Sequence, residues 1–128
     1  MGKNVFEADT GLDKAFLDAV YENDTQTAAA IFEQYLIDLP SDLASIHNCF
    51  SSGDREQFRS LIHKKKVGFS YVGLTAVTAD LSELENKCSA GADLKECQQQ
   101  VESVLKRINE STEAVRQVLK RLQQHEDQ

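Results

Sequence analysis

The chain has 128 residues, enough for one domain with its own core, and 41% hydrophobic against 27% charged residues suits a globular fold. One Pro, six Gly and no Trp argue against a loop-rich all-β fold and against an aromatic nucleic-acid platform. A formal charge of −7 repels polyphosphates, so no nucleic-acid partner is expected. No apolar run approaches the roughly 18 residues of a membrane span, and residues 1–10 do not read as a signal peptide. The expected location is the cytoplasm, with no membrane partner. Cys49, Cys88 and Cys97 lack metal-ligand spacing and read as small buried hydrophobes in a reducing compartment.

In chain order, Thr10-Gly11 precedes the stripe Leu12, Phe16, Val20, a short amphipathic helix. Asn23-Asp24-Thr25 supplies cap side chains for a second helix. Its stripe Phe32, Leu36, Leu39, Leu43, Ile46, Phe50 keeps phase through Pro40. That favours one kinked helix over 25–51; the alternative is two helices, with Pro40 opening the second. Ser51-Ser52-Gly53 ends it, and Asp54 with Gln57 forms a capping box for a third helix with stripe Phe58, Leu61, Ile62, Phe69, Val72. Gly73 suits the position after that helix, and Thr75 suits the cap of the next, whose stripe is Leu74, Val77, Leu81, Leu84, Cys88. Asp93 with Glu96 reads as the start of a last helix over about 93–125, with heptad positions Leu94, Cys97, Val101, Val104, Ile108, Ser111, Val115, Val118, Leu122.

Every segment has a helical period and none alternates like a strand. The expected fold is all-α: one domain over 1–128, an antiparallel up-down four-helix bundle with a short N-terminal helix and a long C-terminal one. The third helix, about 19 residues, spans roughly 28 Å, and the last would run roughly 50 Å. Its tail from about Ser111 is expected to overhang unless the second helix or another chain covers it. Exposed Val115, Val118 and Leu122 would then favour self-association through this segment.

Conventional catalytic and metal motifs are missing: there is no HExxH, no Glu-x-x-His pair, no phosphate loop, and no Ser or Cys nucleophile with plausible partners. Of the three histidines, His125 reads as solvated and His47 as a helix-flank residue. His63 falls on the flank of the third helix by phase, sharing a face with Glu56, Arg59, Lys66, Val67 and Ser70. Around it Arg55, Arg59, Lys64, Lys65 and Lys66 outnumber Asp54 and Glu56, a local basic patch in an acidic chain.

The segment His63-Lys64-Lys65-Lys66-Val67-Gly68-Phe69-Ser70-Tyr71-Val72-Gly73-Leu74 resembles the signature of histidine-containing phosphotransfer (HPt) domains. His63, Lys66, Ser70, Gly73 and Leu74 stand at the family's motif positions. Leu84-Glu85 matches a Leu-Glu or Leu-Gln pair on the following helix, and Phe32, Leu36, Leu39, Pro40 and Leu43 match an upstream pattern. The resemblance covers roughly residues 12–90 and matches the last helix only in kind.

The resemblance implies a phosphocarrier rather than a true catalyst, without kinase activity, cofactor or metal of its own. Its partners would be a response-regulator receiver domain and a hybrid histidine kinase. His63 would be the phosphoacceptor, taking phosphate from receiver aspartates and returning it. Lys66 would neutralise phosphoryl charge, and Ser70 would donate a hydrogen bond. Glu85 would accept a hydrogen bond from Nδ1–H, directly or through water, fixing the tautomer and raising Nε2 basicity. Arg55, Arg59, Lys64 and Val67 would serve docking, the basic patch steering toward the receiver's acidic pocket. Two positions depart from the family. Val67 stands where Gly is common and leans back over His63, and Lys65 stands where an apolar residue is usual. The rival reading is a phosphorylation-independent HPt-fold interaction module.

Overall fold

The computed structural model describes residues 6–7 and 10–126; the remaining ends of the 1–128 span and the segment 8–9 lie outside the described residues. The order is α1 (Lys14–Tyr21), α2 (Thr25–Ser52), α3 (Arg55–Ser70), α4 (Thr75–Ser89), a 3-10 turn (Leu94–Cys97) and α5 (Gln98–Glu126). The described elements are all helical, and short connections set neighbours antiparallel. α3 packs most extensively on α4 and α2 on α5, around one continuous apolar core. No described helix is long and apolar enough to cross a membrane.

The helix ends follow the capping residues. Asp24 Oδ1 accepts from the Thr27 amide at 3.0 Å, and Asp54 Oδ1 from the Gln57 amide at 3.0 Å. Both aspartates satisfy donors that a first turn leaves unpaired. Gly53 closes α2 at φ 78°. Pro40 lies inside α2, so the one-helix reading holds and the two-helix alternative falls. Pro40 leaves the Leu36 carbonyl without its helical donor, and it stands on an exposed face.

Three expectations are corrected. Thr75 is the first residue of α4 rather than its cap, and its hydroxyl donates to Asp13 Oδ2 at 2.7 Å. The last helix does not start at Asp93: a 3-10 turn comes first, with Asp93 as its cap. The tail of α5 does not overhang. Val115, Val118 and Leu122 are 0%, 1% and 0% exposed.

The reason for the covered tail is length. α2 has 28 residues and α5 has 29, so each spans about 42 Å and the pair is matched end to end. Leu36 of α2 lines one groove with Glu113, Arg116 and Leu119 of α5. The N-terminal residues close the same end: Phe6 stacks on Phe32 at 6.3 Å, and Arg121 pairs with Glu7 at 3.8 Å. The residues that motivated self-association are core residues. Cys88 and Cys97 are buried and Cys49 half-buried, all free thiols, and burial pushes the Cys88 thiol up.

Candidate functional site

The site is built on α3, a helix of 16 residues with Phe58, Ile62 and Phe69 turned into the core at 0%, 0% and 3% exposure. With those three fixed inward, 100° per residue carries His63 out of the core, and its side chain is 64% exposed. Glu85 meets it from α4: His63 Nδ1 lies 2.6 Å from Glu85 Oε2. The other carboxylate oxygen, Oε1, accepts from Lys66 Nζ at 2.7 Å. One carboxylate thus serves two partners one turn apart on α3. The Lys66 ammonium, ahead of the His63 imidazole, holds the Glu85 carboxyl below the usual carboxylate range, against a smaller opposing effect of burial. An ionised carboxylate has no proton to give, so Nδ1 is the donor and a neutral ring keeps its lone pair on Nε2. No hydrogen bond to Nε2 is made among the described residues.

Ser70 stands differently from the expectation. It is 7% exposed, and its hydroxyl donates to Thr78 Oγ1 at 2.6 Å. Thr78 in turn donates to the Lys66 carbonyl at 2.7 Å. Phase put Ser70 near His63, but α4 lies over that end of α3 and takes up the hydroxyl. Ser70 therefore fastens α3 to α4 beneath the site and does not share the exposed face. Spacing carries no signal for Thr78, because its role depends on how α4 is rotated against α3.

The basic patch is also less free than its composition suggests. Lys66 pairs with Glu85, and the half-buried Lys65 reaches Asp42 on α2 at 2.9 Å. Arg59 Nη2 meets Glu56 Oε1 at 2.5 Å, which holds the Glu56 carboxyl below the usual range. Arg55 Nη1 donates to the Gly91 carbonyl at 2.8 Å, tying α3 to the loop after α4. Among the described residues, Lys64 makes no ion pair. It lines a groove of about 310 Å³ between α2 and α3 with Ile31, Tyr35, Gly68 and Tyr71. Val67, at 47% exposure, stands on the outer face of α3.

The lower end of α3 is pinned by the N-terminal segment. Gly73 has φ 86°, which favours glycine, and its carbonyl accepts from the Asp13 amide at 2.8 Å. A Cβ at Gly73 would lie 2.7 Å from Leu12 Cβ and 3.1 Å from the Asp13 amide nitrogen. Tyr21 Oη donates to the Tyr71 carbonyl at 2.6 Å. The Thr75 hydroxyl, ahead of the Phe16 amide, holds the Asp13 carboxyl below the usual range. These contacts pin the turn between α3 and α4, the two helices that carry His63 and Glu85.

The other histidines lie elsewhere. His47 is exposed on α2, while His125 is half-buried near the end of α5 rather than in a solvated tail. No group of three or more His, Cys, Asp or Glu side chains able to hold a metal occurs among the described residues. A sequence model described as the Hpt domain matches residues 30–125. The match includes the last helix, which motif reading alone joined only in kind, and begins after α1. No curated protein and no solved structure matches the chain.

Proposed function

Because the chain belongs to the Hpt domain family, which implies phosphotransfer within a phosphorelay, we propose that His63 is the residue that accepts and donates the phosphoryl group. The observation that carries this reading is the exposed imidazole with Nδ1 held by Glu85, which aims the Nε2 lone pair at solvent. The donor is the aspartyl phosphate of a receiver domain. Nε2 attacks phosphorus in line, the N–P bond forms, and the P–O bond to the aspartate breaks with its electron pair leaving on the carboxylate. The reverse step returns the group to a receiver. The chain acts as a phosphocarrier between a hybrid histidine kinase and a response regulator.

Lys66 lies one turn from His63 and swings from Glu85 toward the phosphoryl oxygens as charge spreads over them. Docking uses the outer face of α3, where Val67 and Lys64 border the groove toward α2. Gly68, beside them, has open space where a side chain would stand, so a partner can approach the helix backbone there. Arg55 and Arg59 contribute at the edge of this face, their guanidinium groups already engaged within the chain. Residues 12–28 bury side chains in the same core as the matched region, which supports reading the chain as one domain.

The test is transfer from a phosphorylated receiver to the purified chain. The expected product is an acid-labile, base-stable label that is abolished in His63→Gln while the unfolding free energy stays within about 0.5 kcal/mol of wild type. Receiver binding that persists in wild type with no label on His63 overturns this reading in favour of a phosphorylation-independent interaction module.

A further inference from the structure

Resting on His63 as the phosphoacceptor, we propose that Glu85 sets how long the phosphoryl group stays on the ring. Its carboxylate keeps the Nδ1 proton in place on the phosphorylated imidazole, so His63 is a short-lived donor rather than a store.

The argument follows the proton. When Nε2 bonds to phosphorus, the ring still carries Nδ1–H and becomes cationic. A ring with no partner loses that proton to water. The product is a neutral N-phosphoryl imidazole, which departs only as an imidazolide anion, a poor leaving group. If Nδ1–H is retained, the N–P bond breaks with its electron pair returning to Nε2, and the ring leaves as neutral imidazole. The same balance governs transfer to an aspartate and hydrolysis by water. Retention of one proton therefore decides the lifetime.

Glu85 is placed to retain it. Its Oε2 is 2.6 Å from Nδ1, and its side chain is 12% exposed against 64% for His63, so the carboxylate is held in place at the ring's inner edge while the outer edge faces water. Lys66 on the other oxygen keeps the carboxylate ionised. The charged groups around the ring and its carboxylate are Glu85 from α4 and Lys66 from α3, with Arg59 of α3 near Glu85 but paired to Glu56; Asp42 of α2 is taken up by Lys65. Lys66 divides the Glu85 charge with the ring in the unmodified chain. Once a phosphoryl group draws Lys66 away, Glu85 serves the ring alone, so its hold on the proton strengthens when it is needed. An amide at this position would orient the ring equally well but would bring no charge to a cationic ring. Glu85 is thus a positioning residue that also sets lability.

The test separates orientation from charge and needs no partner protein. The whole chain is phosphorylated with phosphoramidate, and loss of phosphate from His63 and from exposed His47 is followed by peptide mass spectrometry across a range of pH. His47 serves as an internal reference. In wild type, the rapid decay at His63 is expected to persist to higher pH than at His47. At about pH 8, decay at His63 in Glu85→Gln is expected to be about tenfold slower than in wild type, with His47 unchanged. Glu85→Asp, which keeps the charge, should fall between them. Circular dichroism melting confirms that each variant is folded. Coincident decay profiles in wild type and Glu85→Gln, with His63 labelled in both, overturn the proposal and leave Glu85 an orienting contact only. A His63 that takes no phosphate beside a labelled His47 overturns the acceptor assignment itself. Failure of receivers to transfer, with the decay difference intact, counts against the relay and not against Glu85.

Discussion

The outer face of α3 and the last third of α5 pose the same question and answer it differently. Both helices show a plain apolar phase, and in both the phase identifies the inward side chains. On α3 it leaves His63 outside, 64% exposed. On α5 it marks Val115, Val118 and Leu122 as inward, yet comparison with the shorter α3 leaves them uncovered, and the structure buries them. Which way a residue faces is a property of one helix. What covers it is a property of two, and here the cover comes from α2, of nearly equal length, with α1 and Phe6 at its end.

The largest effect that tests this contrast lies in the tail. Leu122→Ala should cost about 2–5 kcal/mol, because a fully buried leucine leaves a cavity. A denaturant midpoint measures it. A loss below about 0.5 kcal/mol would restore the overhanging tail, since that is the scale of exposed substitutions.

Two glycines beyond His63, one on α3 and one in the turn after it, sharpen the comparison further. Gly73→Ala should destabilise by about 1–3 kcal/mol, because it forces a side chain into positive φ and against Leu12. Hydrogen exchange at the Asp13 amide should speed up with it, since that amide donates to the Gly73 carbonyl. Gly68→Ala should stabilise by about 0.5–1 kcal/mol, because Gly68 is helical and an added Cβ meets nothing. Equal signs for the two substitutions would break the distinction between a corner that needs glycine and a helix face left bare.

What was legible in the sequence divides along the same line. Asp24, Asp54, Gly53 and Gly73 declare helix ends because capping is local to a few residues. His63 and Glu85 were legible through the motif together with the phase of α3. Ser70 was misplaced because Thr78, on another helix, takes its hydroxyl. The basic patch looked free because Asp42 and Glu85 arrive from α2 and α4, and no count along α3 contains them. Thr75 looked like a cap because nothing nearby shows that Asp13, 62 positions away, takes its hydroxyl. These three misses are contacts whose partner lies on another element, where relative rotation and length decide; the 3-10 start of the last helix is a local miss of a different kind.

Val67 offers the smallest stability effect and the finest test of the α3 face. It stands four residues after His63, 47% exposed, so its removal opens no cavity. Val67→Gly should cost only about 0.3–0.5 kcal/mol, the difference between two poor helix formers. The side chain of a helical residue leans toward the preceding turn, so the branched group of Val67 is expected over the approach to the His63 ring. In-line transfer needs phosphorus about 3–3.5 Å from Nε2 with good alignment, and a crowded edge narrows the permitted directions. Val67→Gly should therefore speed transfer from a receiver a few-fold while barely moving the melting midpoint. Rapid-quench kinetics read the first and calorimetry the second. A rate equal to or below wild type in a folded variant means that Val67 does not shade the ring. Its exposed methyl groups, bordering the bare backbone of Gly68, then serve as a contact that the receiver itself grips.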